Sequence, residues 1–196
     1  MLKRFVGVSM KSITYVTGNW AKVKSAQMIL EPLGYDVKQI KIDTTEIQCD
    51  DVEDVAKFSA KEASEKLKCN VLKNDTGFFV EGLNGFPGPY THYVEDKLGE
   101  DCILKLLDGC ENRRAYFKES FAYCEYGKEP IVFNSITHGT IATEKSGEHG
   151  WSWDFIFIPD GYEKTLANYP DEERLLIWSH DGLENLVKYL TENSND

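Results

Sequence analysis

The chain has 196 residues, of which 41% are hydrophobic and 12% aromatic. This composition excludes a disordered protein, and the length fits one large domain or two small lobes that share a core. Lys and Arg number 22 against 33 Asp and Glu, which gives a formal net charge of -11. Binding of duplex nucleic acid depends on basic side chains that neutralise phosphates, so the charge argues against that class of partner. A small polyanion remains compatible, because acidic side chains can hold a divalent cation that contacts phosphates.

Cysteine usage and hydropathy predict a cytoplasmic protein. The five cysteines form no C-x-x-C pair, which is typical of thiols in a reducing compartment. The apolar run at the N-terminus ends at Lys11 and is shorter than the roughly 7–15 residues of a signal-peptide core. No segment approaches the ~18 apolar residues of a membrane span. We therefore expect no membrane partner.

The first part of the chain predicts alternating strands and helices. Short β-branched runs predict strands, and apolar residues spaced at i, i+3, i+4 and i+7 predict helices. Alternation of this kind favours an α/β sheet whose functional residues follow the strands. The elements are a strand at 13–17, a helix ending at Gly34, a strand at 37–42, a helix beginning near 50–54 and a strand that ends in a turn at 74–77.

The second half predicts antiparallel strands between helices. The expected fold is therefore α/β, with an elongated, mixed, twisted sheet and two α/β lobes flanking a substrate cleft. We expect one domain at 13–191, preceded by an extension at 1–12 and followed by a tail at 192–196. The elements of this half are a helix at 89–107, strands at 115–126 and 130–143 joined by a turn at Gly127, a strand at 153–158, and a final helix carrying Leu183, Leu186, Val187 and Leu190.

The first cluster of interest is Thr17-Gly18-Asn19, followed by Lys22, at a junction between a strand and a helix. A glycine there lets the backbone approach a ligand, the helix N-terminus favours an anion, and Lys22 adds a positive charge one turn later. The alternative is an ordinary tight turn whose residues bind nothing.

Two carboxylates form a second group. Glu46 follows the second predicted strand, and Asp75 ends the strand before Thr76-Gly77. Carboxylates at strand ends can share a hard cation that keeps several waters, the usual arrangement of Mg²⁺ with a phosphate substrate. The alternative is that Asp75 forms an Asx turn and Glu46 is only solvated.

A third group is aromatic. Trp151, Trp153 and Asp154 lie close together, and Ser179-His180 precede the last helix. Rings beside polar groups suit a flat base, which stacks on them and forms hydrogen bonds at its edge. The alternative is a strand of core aromatics, with Ser179 as the N-cap of the helix.

In this order and spacing, the clusters resemble the inosine triphosphate pyrophosphatases, also called Ham1-like or non-standard purine nucleoside triphosphate pyrophosphatases. The resemblance covers nearly the whole chain, from Ile13 to Leu190. It rests on Thr17-Gly18-Asn19-x-x-Lys22, Glu46, Asp75-Thr76-Gly77, the turn at 85–90, the segment at 153–162 and Ser179-His180.

The resemblance implies a homodimeric enzyme that hydrolyses inosine, xanthosine and related deoxy triphosphates to the monophosphate and pyrophosphate, with Mg²⁺ or, in its place, Mn²⁺. It implies that Glu46 and Asp75 bind the metal and that Asp75, Glu46 and Lys22 are catalytic, with Asp75 also orienting or deprotonating the attacking water. The implied substrate contacts are Thr17, Gly18, Asn19 and Lys22 at the triphosphate, Thr76 at a phosphate or the sugar, and Trp151, Trp153, Asp154, Ser179, His180 and Asp181 around the base.

Four positions depart from the family pattern, all near the nucleoside end. Ser152 stands where a glycine is usual and His92 where a basic residue often occurs. Leu175 and Asp181 also replace basic residues, although Arg174 adjoins Leu175. A carboxylate only accepts hydrogen bonds, so it favours an amino group over a keto oxygen. Two alternatives follow: the same reaction with an altered base preference, and a nucleotide-binding protein without turnover.

Overall fold

The computed structural model describes residues 11–193. Its strands are β1 (Lys11–Val16), β2 (Tyr35–Ile40), β3 (Val71–Val80), β4 (Pro87–Gly88), β5 (Arg114–Cys124), β6 (Ile131–Ile141) and β7 (Phe157–Pro159). Its helices are α1 (Trp20–Leu30), α2 (Val52–Leu67), α3 (Thr91–Leu98), α4 (Asp101–Leu106), α5 (Asp171–Ile177) and α6 (Asp181–Glu192). The mixed α/β fold expected from the sequence is confirmed. None of the helices within residues 11–193 combines the length and the apolar character that a membrane crossing needs.

Across the described residues, the strands form one sheet in the order β2-β1-β3-β5-β6-β7, with β4 paired to β3. β1 runs parallel to β2 and β3, whereas the neighbours from β3 through β5 and β6 to β7 are antiparallel. Helix α1 provides the crossover that a parallel pair requires. The β5–β6 hairpin turns at Gly127, whose φ of 81° glycine adopts without strain.

Apolar clusters lie at both ends of the sheet. At one end, Tyr15 packs with Leu30 of α1 and Leu186 of α6. At the other end, Phe78 and Phe157 pack with side chains of α4 and of the chain around 153–156. Helix α2 covers the opposite face of the first end. These clusters are the cores of two lobes, and a cleft lies between them.

Strand β3 differs from the prediction, because it continues through Asp75 instead of ending there. Residues 71–80 pair with β5 along their whole length. On the other edge, β1 pairs with only the first two residues, and β4 pairs with Phe78 and Phe79. The β3 edge between these two contacts is therefore open, and Asp75 and Thr76 lie there at the cleft.

The segment predicted as a strand at 153–158 is mostly a turn. Residues Ser152–Phe155 form a single 3₁₀ turn, and only Phe157–Pro159 pairs with β6. The Asp154 carboxylate holds this turn by accepting a hydrogen bond from the backbone N–H of Trp151 at 3.2 Å. An apolar run indicates burial, but it does not separate a buried strand from a buried turn.

Other boundaries also differ. The helix predicted at 89–107 is two helices separated at Gly99, which has a φ of 68°. Helix α5 has no predicted counterpart, because its seven residues begin with three acidic ones and carry little apolar periodicity. β1 begins inside the predicted extension, and α6 enters the predicted tail. Residues 1–10 of that extension and 194–196 of that tail lie outside the described residues.

Candidate active site

A cavity of about 480 Å³ lies between the two lobes. It is bounded by the start of α1, the open edge of β3, the start of α3, and the chain from residue 151 to residue 178. Its volume falls in the range of small-molecule sites, roughly 300–1,000 Å³. The predicted site residues that line it are Asn19, Lys22, Glu46, Asp75, Thr76, Trp151, Trp153 and Asp154.

The first turn of α1 forms one end of the cavity. Asn19 is the N-cap, and its Oδ1 accepts a hydrogen bond from the N–H of Ala21 at 2.8 Å. Oγ1 of Thr17 accepts from the N–H of Asn19 at 3.1 Å. A Cβ at Gly18 would meet no atom within 4 Å, so packing against the described residues does not require a glycine there. Open backbone at a helix N-terminus, with Lys22 one turn later, forms a surface suited to an anion.

Asp75 lies close enough to Lys22 and to Glu46 for its charge to interact with both. Burial raises the pKa of Asp75 to about 6, and the charge of Glu46 adds to the rise. The charges of Lys22 and Lys73 and the backbone N–H of Thr76 act in the opposite direction. A carboxylate with a pKa near neutrality can exchange a proton with water at physiological pH.

Taken alone, the carboxylates of Glu46 and Asp75 are fewer ligands than a bound metal ion needs. Within residues 11–193, no group of three or more His, Cys, Asp and Glu side chains is arranged to hold a metal ion. Mg²⁺ is commonly bound by one or two carboxylates together with water and substrate phosphates. Glu46 and Asp75 fit that arrangement, and a cation bound by them would need further ligands from a substrate.

The opposite end of the cavity is aromatic. Trp151 is 53% exposed, whereas Trp153 is buried and packs on Phe78 at a ring-centroid distance of 5.3 Å. The guanidinium carbon of Arg174 lies 5.8 Å from the centroid of the Trp151 ring. An exposed indole ring held beside a cation offers a flat face on which another ring can stack.

Asp154 lines this end as the partner of Arg174 and not as a free carboxylate. Its Oδ2 accepts a hydrogen bond from Nη1 of Arg174, while Nη2 donates to Asp171 at 2.6 Å. Burial raises the pKa of Asp154 to about 6, although the charge of Arg174 pulls it down. The Arg174 side chain is therefore engaged by two carboxylates.

Some predicted substrate contacts lie outside the cavity lining. Nε2 of His180 is 2.9 Å from the carbonyl oxygen of Leu175. The Asp181 carboxylate accepts from Oγ of Ser179 at 3.0 Å at the start of α6, where the N-cap is His180 and not Ser179. The roles proposed for these residues stay predictions. The predicted residues outside the lining are Thr17, Gly18, Ser179, His180 and Asp181.

Sequence reasoning missed Glu119, which lines the cavity from β5. Alternate residues of β5 share one face, and there Glu119 interrupts an otherwise apolar series of Ala115, Phe117, Phe121 and Tyr123. That break in a period of two is the signal that could have identified it. Other lining residues to which the sequence analysis assigned no role include Trp20, Pro89, Thr91, Phe117 and Trp178.

The fold and the cavity together define an α/β protein with a cavity that Lys22, Glu46 and Asp75 line on one side and Trp151 and Trp153 on another. The sequence matches the model of the Ham1 family over residues 13–183, and the chain belongs to that family. It is 41% identical over 183 residues to the dITP/XTP pyrophosphatase of Methanopyrus kandleri, covering 92% of this chain and 97% of that relative. The corresponding protein of Thermococcus kodakarensis is 42% identical over 183 residues, covering 92% and 98%. The solved structure of the Staphylococcus aureus Ham1 protein has a TM-score of 0.79 and 27% identity, covering 94% of this chain and 100% of that one.

Proposed function

We propose that the chain is a nucleoside triphosphate pyrophosphatase that converts non-standard purine triphosphates, such as ITP, XTP and dITP, to the monophosphate and pyrophosphate. Two relatives named dITP/XTP pyrophosphatase share 41% and 42% identity over nearly the whole chain. One observation carries the proposal: a single cavity has Lys22, Glu46 and Asp75 at one end and Trp151 at the other. In a nucleotide, the polyphosphate would bind the charged end and the flat base would stack at the aromatic end.

The charged end suits the triphosphate. We assign Thr17, Gly18, Asn19 and Lys22 to phosphate contacts, because a helix N-terminus and an ammonium both attract phosphate oxygens. Glu46 and Asp75 are assigned as ligands of Mg²⁺, with Mn²⁺ as a substitute. A cation bound there would neutralise charge that develops on the phosphates during the reaction.

Asp75 is assigned to orient the attacking water and to accept its proton. The water oxygen forms a new bond to phosphorus, and the P–O bond that joins the α- and β-phosphoryl groups breaks. The products are the monophosphate and pyrophosphate. A carboxylate with a pKa of about 6 is mostly ionised at neutral pH, so it can take this proton. Lys22 stabilises the negative charge that builds up on the phosphates.

The aromatic end suits the base. Trp151 is assigned to stack on it, Trp153 and Asp154 to shape the pocket around it, and Thr76 to contact the sugar or a phosphate. Ser179, His180 and Asp181 are proposed contacts of the base edge that would require the segment before α6 to approach the ligand.

A second candidate is the same reaction with a weaker preference for keto bases. Leu175 lines the cavity and its side chain offers no hydrogen-bond donor, which favours this candidate. In the sequence, Asp181 is a second reason for this candidate. In the structure, however, its carboxylate accepts a hydrogen bond from Ser179 and does not line the cavity.

A panel of nucleoside triphosphates tests the proposal. With Mg²⁺ present, we expect kcat/KM for ITP, XTP and dITP to exceed that for ATP and GTP by about tenfold or more, since one well-placed hydrogen bond discriminates by that much. Equal values would favour the second candidate. Binding without any hydrolysis would favour a nucleotide-binding protein and contradict an enzyme.

We also propose a cytoplasmic homodimer whose single domain spans residues 13–191 in two lobes. The five cysteines are free, as expected in a reducing compartment. Tyr93 and Leu98 of α3 and Leu106 of α4 are large, exposed and apolar, which supports a contact between chains. Light scattering should give twice 22.4 kDa, and a monomer mass at micromolar concentrations would exclude the dimer.

A further inference from the structure

Glu46 lies on a segment that has no backbone pairing of its own. Residues 41–51 join β2 to α2 and belong to no helix or strand. Among the described residues, positions 42–50 form no hydrogen bond between backbone groups. At the start of the segment, Ile42 packs against the apolar cluster that α2 covers. The position of Glu46, which lines the cavity from this segment, must therefore be set by side-chain contacts.

Two side chains of α2 supply such contacts. Oε2 of Glu62 accepts a hydrogen bond from the backbone N–H of Thr45 at 2.5 Å, and Oε1 accepts from Oγ1 of Thr45 at 3.3 Å. One turn later, Nζ of Lys66 donates to the carbonyl oxygen of Asp43 at 2.9 Å. Lys66 also pairs with Glu62 at 2.9 Å, an i,i+4 arrangement that holds both side chains on one face of the helix. Helix α2 thus fixes the backbone directly before Glu46.

Glu62 lies near the charged end of the cavity, but it is not placed as a further metal ligand. Burial lowers the pKa of Lys73, whereas the nearby charges of Glu46, Asp75 and Glu62 raise it, so the three carboxylates surround one ammonium group. Within residues 11–193, however, no three His, Cys, Asp or Glu side chains are arranged to share a cation. Both oxygens of the Glu62 carboxylate bond to Thr45 instead.

We propose that Glu62 is a positioning residue for Glu46: its bonds to Thr45 hold the Glu46 carboxylate where it can bind a divalent cation. The inference rests on the proposed function in that Glu46 is a metal ligand. Neighbouring Cα atoms are about 3.8 Å apart across a trans peptide, so a shift of the Thr45 backbone moves Glu46 directly. A carboxylate on an untethered segment would also lose more conformational freedom on binding, which weakens the affinity.

The test measures Mn²⁺ binding to the full chain without nucleotide, by the EPR signal of free Mn²⁺, which falls as the ion binds. The affinity lost in Glu46→Gln identifies the site. Glu62→Ala should raise the Kd of that site about tenfold or more, as removal of a group that orients a metal ligand typically does. Glu62→Gln keeps an oxygen for the N–H of Thr45 and weakens only the partly exposed pair with Lys66. Its Kd should therefore stay within about threefold of the parent.

Two controls separate positioning from other effects. Glu65→Ala removes an exposed carboxylate from the same helix and should leave the Kd unchanged, although it changes the net charge as Glu62→Ala does. In the double variant Glu46→Gln/Glu62→Ala, the Kd should stay within about twofold of that of Glu46→Gln, because no ligand remains to be positioned. A contribution to folding alone would lower the urea midpoint without this dependence on Glu46.

An unchanged Kd in Glu62→Ala would overturn the inference. So would equal losses in Glu62→Ala and Glu62→Gln, which would indicate an effect of charge, or a further loss of about tenfold in the double variant. Binding that Glu46→Gln leaves unchanged would contradict both the metal assignment and this inference.

Failure of the inference is distinguishable from failure of the proposed function. A chain whose Mn²⁺ affinity follows the expected pattern but that releases no pyrophosphate from ITP contradicts the proposed function alone. A chain that hydrolyses ITP, and whose Mn²⁺ affinity falls in Glu46→Gln but not in Glu62→Ala, contradicts this inference alone.

Discussion

Asp154 and Arg174 form a buried ion pair at the aromatic end of the cavity, although they are 20 positions apart in the chain. The pair joins the turn at Ser152–Phe155 to helix α5. Because Arg174 also lies beside the Trp151 ring, the pair fixes the wall on which we expect the base to stack. Its loss should therefore affect both the fold and the pocket.

Replacing Arg174 with Met should lower the free energy of unfolding by about 3–5 kcal/mol, because the Asp154 carboxylate is left buried without a countercharge. Adding Asp154→Asn should recover part of that loss. Urea unfolding followed by tryptophan fluorescence measures both. The control is Arg114→Met, which breaks an exposed pair with Asp160 and should cost at most about 1 kcal/mol. Equal costs at the two arginines would contradict a buried pair.

The raised pKa of Asp154 predicts how stability depends on pH. Its pKa in the folded chain is about 6, above the usual value of 3.8. Such a group binds its proton more tightly when folded, so its stabilising contribution is complete below about pH 3.8 and is lost as the pH rises through about 6. The parent should therefore lose stability relative to Asp154→Asn across this window. Unfolding measured in urea at several pH values checks this, and a constant difference between the two proteins would refute it.

The role assigned to Asp75 predicts a loss of turnover without a loss of folding. Asp75→Asn keeps the shape of the side chain but removes the charge that metal and water need, so kcat should fall about 100-fold or more. Lys22→Ala should also lower the rate by exposing phosphate charge. The control is Asp50→Asn, at an exposed position outside the cavity lining. Near-parent turnover of Asp75→Asn at saturating Mg²⁺ would show the assignment to be wrong.

The assignment of Glu46 and Asp75 as metal ligands predicts that pyrophosphate release depends on added metal. Chelation with EDTA should abolish pyrophosphate release, and Mg²⁺ or Mn²⁺ should restore it. Glu46→Gln should raise the Mg²⁺ concentration for half-maximal activity by at least about tenfold, whereas the exposed Glu31→Gln should not change it. Activity that persists in EDTA would contradict a role for the metal.

The base preference should respond to Leu175 more than to Asp181. Leu175 lines the cavity, so Leu175→Lys adds a donor there and should raise the ratio of kcat/KM for ITP over ATP by about tenfold. Asp181 bonds to Ser179 outside the lining, so Asp181→Arg should change the ratio little. A larger effect at Asp181 would mean that the segment before α6 closes on the base.

The sequence was informative wherever the chemistry is local. Thr17, Asn19 and Lys22 fall within a few positions of one helix start, and that helix is where the pattern predicted it. Asp75 was predicted at a strand end, yet it lies inside β3, because pairing with β5 is a long-range contact that the local N-D-T-G pattern does not reveal. It is still accessible, because β1 stops early and leaves that edge open.

The positions of Glu119 and Arg174 in the site could not be predicted from local sequence patterns. The place of Glu119 depends on the register between β3 and β5, and the partner of Arg174 lies across the cavity wall. Neither relation can be read from neighbouring residues. For the same reason, an apolar run predicted burial around Trp153 correctly while giving the wrong secondary structure.

The identity of the phosphate product decides whether the chain is a pyrophosphatase. With ITP and Mg²⁺, ³¹P NMR of the parent reaction should show inosine monophosphate and pyrophosphate growing in equal amounts, with no inosine diphosphate at any time. The same spectra of Asp75→Asn should change far more slowly. Inosine diphosphate and orthophosphate as the first products would contradict pyrophosphatase activity.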